Sequence, residues 1–240
     1  MLFVWYLTKQ AGLLPITIPN PVDVWEALTD QWDDLLYHTA STVLSAFTGY
    51  VCAAMIAAAL GGVAVTWKRS GKPVLTFGIL VDSTPLIAVA PIFMIWLGNG
   101  MTLHVVVAGI AAFFPLLVGM IQGFRSADRN MLELFHVLAA SRWQTLTRLS
   151  LPSALPYIFS ALKVAAPLAL LGALIAEWMG TDRGLGTLIT YALFSFNVPL
   201  VWLSILTVCA LTAASYGLVA LAEHRFAPWS GAGEARGRQP

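Results

Sequence analysis

Charged residues are scarce in this sequence. Lys, Arg, Asp and Glu together make up 10% of its 240 residues, whereas hydrophobic residues make up 58%. Soluble domains usually carry about a quarter charged residues, so the composition excludes an ordinary soluble protein and indicates a membrane protein. The formal net charge of +1 gives no reason to expect a nucleic-acid partner.

Cysteine is also scarce, because the chain has only Cys52 and Cys209. Both lie in apolar runs, so the sequence predicts neither a disulfide framework nor a metal-ligand cluster. The opening residues MLFVWYLTKQ lack the basic start and small-residue cleavage site of a signal peptide. We therefore expect no cleavable leader.

Five apolar runs are long enough to cross a bilayer, which takes roughly 20 residues of helix. They cover 41–67, 74–97, 103–124, 155–179 and 198–221. A further apolar stretch at 1–7 is too short to span, and it is either the stub of another helix or a sign that the true start lies upstream. The sequence thus predicts an all-α membrane protein with five clear transmembrane helices and a short N-terminal stub.

The distribution of basic residues predicts the orientation of these helices. Ten of the thirteen Lys and Arg fall in 68–72, 125–152 and the C-terminal tail, and basic loops stay on the cytoplasmic side. We expect those three segments to be cytoplasmic and 14–40, a proline-rich stretch followed by a short amphipathic helix, to lie at the outer interface. The predicted division is 1–40 for the stub and outer segment, 41–223 for the transmembrane domain, and 224–240 for a disordered cytoplasmic tail.

The stretch HVLAASRWQTLTRLSLP at 136–152 is an amphipathic segment between two apolar runs. Ala139, Trp143, Leu146 and Leu149 recur at helical spacing, which predicts a helix with one apolar face. Such a helix either lies on lipid headgroups or docks in a groove of another protein. The pattern alone leaves both interpretations open.

The spacing around this stretch resembles the EAA loop of ABC importer permeases. Glu133-Leu134-Phe135, three residues, Ala139, nine residues and Leu149-Ser150-Leu151-Pro152 match the family pattern Glu-Ala-Ala, three residues, Gly, nine residues, Ile-x-Leu-Pro. Two alanines and the glycine of the family are replaced here. Because Ala favours helix over a turn, we expect Ala139 to be helical.

Other motifs are similar to the nitrate, sulfonate and taurine branch of that family, over roughly residues 12 to 228. They are PLIA at 85–88 with Pro91, WLG at 96–98, FFP at 113–115, AEWMG at 176–180 and GLG at 184–186. The resemblance implies a type I ABC importer transmembrane fold in a bacterial inner membrane, usually with six spanning helices. It also implies a small solute, either a sulfonate, taurine or nitrate-like anion, or a thiamine-precursor pyrimidine or riboflavin.

The family resemblance further implies a set of partners. They are a second permease copy, two ATP-binding-cassette ATPase subunits and an extracytoplasmic solute-binding protein. The chain has no Gly-x4-Gly-Lys-Ser/Thr phosphate loop, so we expect it to be non-catalytic, to bind no cofactor, and to leave ATP and Mg²⁺ to the ATPase. The residues expected to couple to that ATPase are Glu133, Ala139, Ala140, Ser141, Arg142, Trp143, Leu146, Arg148, Leu151 and Pro152.

In that set, Trp143 and Leu146 are expected to be apolar anchors, Arg142 and Arg148 a charged rim, and Glu133 a brace for the loop. A helix near 139–151 would seat in the ATPase and transmit its closure to the membrane helices.

Polar and proline residues inside the apolar runs are candidates for the pathway. A carboxylate in a membrane is costly and usually faces a cavity or a partner, so Asp82 either lines the pathway, pairs with Lys163 or a helix end, or is protonated. Glu177 either gates the pathway or bonds to the turn at 184–186. Pro85 and Pro91 predict kinks where helices can pivot.

Two other classes of membrane protein compete with the importer interpretation. An ATP-independent secondary transporter would show paired intramembrane charges or inverted repeats, and the sequence has one such carboxylate and no visible repeat. A membrane scaffold would leave the amphipathic loop on lipid.

Overall fold

The computed structural model describes residues 17–67 and 69–229, and every regular element in those ranges is a helix. In chain order the helices are α1 (Pro21–Asp30), α2 (Trp32–Thr66), α3 (Gly71–Ser83), α4 (Leu86–Leu97), α5 (Met101–Phe124), α6 (Arg129–Val137), α7 (Arg142–Thr145), α8 (Leu151–Glu177), α9 (Leu185–Phe194) and α10 (Val198–Phe226). A turn of π-helix, Leu146–Ser150, joins α7 to α8. The all-α class is confirmed, and the stub at 1–7 lies outside the described residues.

Four stretches of helix are long and apolar enough to cross a bilayer. They are Trp32–Thr66, Met101–Phe124, Arg142–Glu177 and Val198–Phe226. α3 and α4 pass the same test only as a pair, with a bend of 93° between them. The described ranges therefore contain four continuous candidate spans and one bent pair, α3 with α4, which we call the broken span.

The run at 74–97 is thus two helices, whereas the sequence pattern predicted one. The break follows from Pro85, because proline disfavours helical geometry in the residue before it. Thr84 accordingly has an extended ψ of 121°, and α4 starts only after Pro85. Pro91, by contrast, is accommodated inside α4.

α5 is the central helix of the bundle, with α2 and α8 packed closely against it. Its side chains Leu103 and Leu117 are fully buried. Where α8 crosses α5, a Cβ added at Gly172 would lie 2.8 Å from the Cα of Ala108, so only glycine permits the crossing. Small residues at helix contacts are expected here, because lipid provides no hydrophobic force to drive helices together.

Two helices extend beyond the limits that we predicted. α2 begins at Trp32 rather than at residue 41, and its first turn carries Asp33 and Asp34, whose negative charge is favourable at a helix N-terminus. α10 continues to Phe226, and Ala227 just after it is fully buried. The tail expected to be disordered from 224 is therefore ordered through 229, and 230–240 lies outside the described residues.

The amphipathic helix expected within 14–40 is α1, and its apolar face packs on protein. Val24 and Ala27 are buried in a cluster with Leu185 and Leu200, on α9 and α10. Trp25, on the other face, is 65% exposed. α1 is therefore anchored to the bundle and leaves a Trp side chain at its surface, as is common at membrane interfaces.

Candidate coupling site

The segment 125–152 folds as a helix, a tight turn and a second helix between the end of α5 and the start of α8. The start of the segment is held against α2, because the Arg125 guanidinium donates a hydrogen bond to the Ala64 carbonyl at 3.2 Å. α6 then begins at a side-chain cap, in which the Asp128 carboxylate accepts the backbone N–H of Asn130 at 2.7 Å. Local hydrogen bonds thus define both the position and the start of α6.

The turn after α6 is a Schellman motif with Ala139 in the left-handed conformation, at φ 52°. The Ala140 N–H donates to the Phe135 carbonyl, and the Ala139 N–H donates to the His136 carbonyl, both at 3.0 Å. This is how helices end through a left-handed residue, a position that favours glycine because glycine has no Cβ. The expectation that Ala139 is helical is therefore wrong, because the tertiary turn overrides its helix propensity.

α7 starts immediately after this turn at a capping box. The Ser141 hydroxyl accepts the Gln144 N–H at 3.2 Å, and the Gln144 side-chain oxygen accepts the Ser141 N–H at 2.8 Å. The amphipathic helix consequently begins at Arg142 rather than near Ala139. Ala139, Ala140 and Ser141 form the turn that presents it.

A π turn carries the loop helix into the membrane span without interruption. The Leu151 N–H donates to the Leu146 carbonyl, five residues back. This wide turn suits Pro152, which has no N–H and whose ring collides with the carbonyl four residues earlier in a regular α-helix. Residues Arg142–Glu177 therefore form one continuous helical stretch, which we call the rod.

The surface of the loop exposes many apolar side chains. The most exposed are Val137 at 80%, Trp143 at 71%, Leu138 at 68%, Met131 at 49%, and Leu134 and Leu146 at 48% each. Between α6 and α7 lies a groove of about 390 Å³, lined by Leu132, His136, Ala140, Arg142, Thr145, Leu146 and Ser150. We call these exposed side chains and the groove the loop surface. Exposed apolar surface outside the membrane-spanning helices is a candidate interaction site.

The predicted coupling residues are distributed unevenly over the loop surface. Ala140, Arg142 and Leu146 meet at the groove, whereas Trp143 and Arg148 are exposed. Leu151 is exposed at the start of α8. Glu133 is exposed and has no hydrogen-bond or ion-pair partner in 17–67 or 69–229, so it does not brace the loop within the described chain.

Two contacts that the sequence analysis missed connect α8 to the end of α10. The Lys163 ammonium pairs with the Glu223 carboxylate at 2.6 Å, and the Trp229 indole N–H donates to the Pro152 carbonyl at 3.2 Å. The alternative that Lys163 pairs with Asp82 is therefore wrong. A useful signal was present: a lysine inside an apolar run favours a carboxylate at similar depth, and Glu223 follows the final apolar run by two residues.

Asp82 lies near the end of α3, at the broken span, where it is exposed and unpartnered within the described ranges. A negative charge is unfavourable at a helix C-terminus, and no cationic side chain of 17–67 or 69–229 forms an ion pair with this one. Beside the break, a cavity of about 580 Å³ has Val81, Thr84 and Val89 in its apolar wall.

Glu177 is fully buried at the end of the bundle opposite the loop surface. Its side chain there connects α8 to α2 and α9. One carboxylate oxygen accepts the Thr42 hydroxyl and the other accepts the Gly186 N–H, each at 2.8 Å. Thr42 in turn accepts the Leu185 N–H at 2.8 Å. Gly184, at φ 128°, is packed so closely on the carboxylate that no Cβ would fit there. We call these five residues the Glu177 hub.

Within the described residues 17–67 and 69–229, no group of three or more His, Cys, Asp or Glu side chains is arranged to hold a metal ion.

Comparison with known sequences places this architecture among transport proteins. The sequence pattern of the family described as "Binding-protein-dependent transport system inner membrane component" matches residues 49–228. The riboflavin transport system permease protein RibX of Chloroflexus aurantiacus is 31% identical over 226 residues, covering 91% of this chain and 82% of RibX. The formylaminopyrimidine transport permease protein ThiX of Halalkalibacterium halodurans is 26% identical over 230 residues, covering 95% of this chain and 92% of ThiX.

Comparison with solved structures gives the same fold. A chain of the MetNI methionine ABC transporter, solved in inward-facing conformations, superposes with a TM-score of 0.59. The match covers 88% of this chain and 99% of the other, at 18% sequence identity. At that identity the likeness establishes the fold and nothing further.

Proposed function

This chain belongs to the family of binding-protein-dependent transport system inner membrane components, and from that membership we propose that its loop surface is where a separate ATPase drives the permease. The protein is a multi-pass permease subunit of an ABC importer. The observation that carries the proposal is the exposed apolar loop surface at one end of a continuous helical rod, Arg142–Glu177.

In this function the partner ATPase, and not this chain, binds and hydrolyses ATP. The sequence has no phosphate-loop motif, so ATP and Mg²⁺ would be bound by two ATPase subunits, one on each copy of a permease homodimer. Trp143 and Leu146 would enter a cleft of the ATPase as anchors, with Arg142 and Arg148 at the rim. Closure of the two ATPases would then draw the paired loops together and tilt both rods.

Contacts between loops support the proposed orientation. At one end of the bundle, Arg125 lies against Gly71 and Trp229 bonds to Pro152, so three basic segments share one side. At the other end, Asn99 bonds to the Gly180 carbonyl at 2.8 Å. We assign the first end to the cytoplasm and the second to the outer face, where a solute-binding protein would dock.

Asp82, Pro85 and Pro91 are proposed to act in the pathway, since the broken span can pivot and Asp82 is unpartnered within the described chain. Glu177 is instead proposed to be architectural, because both of its carboxylate oxygens accept hydrogen bonds from neighbouring helices.

Copurification with the ATPase tests the coupling proposal. Trp143→Asp and Arg148→Glu should each lose most of the ATPase that wild-type permease retains, because each change opposes an apolar or basic contact. Trp25→Asp and Arg225→Glu are matched controls, since they change equally exposed residues outside the loop. Equal ATPase recovery from all four variants would refute the assignment.

The solute is proposed to be a small organic or inorganic anion, of the sulfonate, taurine or nitrate type. A pyrimidine or flavin is the second candidate, because two relatives are named for formylaminopyrimidine and riboflavin. Uptake of labelled taurine, nitrate analogue and riboflavin by cells with and without this chain would separate them. Loss of riboflavin uptake alone would rule out the anion proposal.

A further inference from the structure

A second polar site lies at the end of the bundle opposite the loop surface. It is a cavity of about 480 Å³ between the start of α2, the turn from α4 to α5, and the loop from α8 to α9. Its polar lining includes Tyr37, Ser41, Asn99, His104, Asp182 and Arg183. The Asn99 side chain holds the α8–α9 loop in place through its bond to the Gly180 carbonyl.

His104 is the residue in this cavity that most needs an explanation. Its side chain is buried, with 3% exposure, and neither ring nitrogen has a hydrogen-bond partner in the described part of the chain. An imidazole carries at least one N–H in every protonation state, and a buried donor without a partner is costly. His104 lines the cavity, so its unpartnered imidazole lies beside the space that a ligand would occupy.

The start of α5 adds further donors to the same wall. Gly100 and Met101 line the cavity, and no side chain caps the helix at Gly100. The first N–H groups of a helix have no acceptor within it, and the helix dipole is positive there. This is the electrostatic arrangement that binds an anion.

Arg183 supplies a full positive charge. Its guanidinium stacks over the Tyr37 ring, 5.2 Å from the centroid, and makes no ion pair or side-chain hydrogen bond within 17–67 and 69–229. Asp182 also lines the cavity, but the two charges are not in contact. Since Asp182 offsets part of the positive potential, a singly charged anion fits better than a dianion.

We propose that His104, the N-terminus of α5 and Arg183 form a binding site for one singly charged oxyanion group, such as a sulfonate or carboxylate. The imidazole N–H and the helix N–H groups would bond the oxygens, while Arg183 closes the site from the loop. The physiological meaning rests on the proposed function, in which this end of the bundle faces the incoming solute. The binding itself does not depend on it.

Equilibrium binding of radiolabelled methanesulfonate to the purified permease in maltoside micelles tests the site. We expect saturable binding at millimolar or lower concentration, weaker binding of sulfate, and a loss of about tenfold in affinity for Arg183→Gln and for His104→Leu. His104→Gln keeps a side-chain donor and should retain more affinity than His104→Leu. Arg225→Gln, which removes an exposed charge at the other end, should bind as wild type.

A lipid phosphate could present the same chemistry, so the assay is repeated with added phosphatidylglycerol and with phosphatidylcholine. Competition by phosphatidylglycerol that Arg183→Gln abolishes would identify a headgroup as the occupant, whereas methanesulfonate binding unaffected by either lipid identifies a free anion. Absence of saturable binding, or equal binding in all variants, overturns the proposal. ATPase recovery with each variant reports separately on the loop surface, so failure of the anion site and failure of the coupling proposal are distinguishable.

Discussion

The Glu177 hub and the loop surface lie at opposite ends of the same helical rod, and they use polar and apolar groups in opposite ways. In the hub an ionisable side chain is fully buried, and both of its carboxyl oxygens accept hydrogen bonds from this chain. On the loop surface, large apolar side chains such as Trp143 and Val137 remain exposed. Hydrogen bonds within the chain satisfy one end, whereas apolar side chains remain exposed at the other end, where we propose that a partner covers them.

The largest effect is expected from breaking the hub. Glu177→Leu leaves the buried Gly186 N–H without an acceptor and leaves the Thr42 hydroxyl with only the more distant His38 carbonyl at 3.3 Å, which should cost about 3 kcal/mol of unfolding free energy. Denaturation of the purified permease in detergent measures this loss. Glu133→Leu is the matched control, because that carboxylate is exposed and unpartnered in the described chain. Equal destabilisation by both changes would show that the hub does not stabilise the fold.

A smaller effect is expected from the ion pair that connects the rod to α10. Glu223→Gln should destabilise the protein by about 2 kcal/mol, because it leaves the Lys163 ammonium largely buried without its counter-charge. In Lys163→Met with Glu223→Gln, much of that loss should be recovered, and a double-mutant cycle on unfolding free energies measures the coupling. Strictly additive losses would show that the pair contributes nothing as a pair.

The smallest effect on stability is expected from a substitution inside the loop, and this one should not destabilise the protein. Ala139→Gly removes a Cβ from a left-handed residue, a strain of order 1 kcal/mol that the greater flexibility of unfolded glycine partly offsets. We expect unchanged or slightly raised thermal stability. Ala140→Gly, at the neighbouring position with negative φ, should lower it instead. A clear loss of stability in Ala139→Gly would contradict the Schellman turn.

Much of this fold could be read from the sequence, because spans in lipid are set by length and apolarity alone. All five apolar runs are largely helical, although 74–97 is divided at Pro85, and the amphipathic segment after Ser141 is a helix. The limits at Trp32 and Phe226 were missed because polar and aromatic turns extend helices beyond the hydrocarbon region, where hydropathy gives no signal.

The remaining errors involve residues whose conformation depends on distant contacts. Ala139 was assigned by propensity, yet its backbone is set by the hydrogen bonds that close α6. The partner of Lys163 lies sixty residues away on another helix, which no local pattern reveals. The gate-or-turn alternatives for Glu177 could not be separated before Thr42 and the 184–186 turn were seen to meet at its carboxylate.

The central claim is that the loop surface is completed by an ATPase, and photocrosslinking in native membranes tests it most directly. Benzoylphenylalanine is placed at Trp143 in one permease and at Trp25 in another, since both side chains are highly exposed. We predict an adduct with an ATP-binding-cassette ATPase from position 143 and none from position 25. Adducts from position 143 with lipid alone, or ATPase adducts of equal yield from both positions, would contradict it.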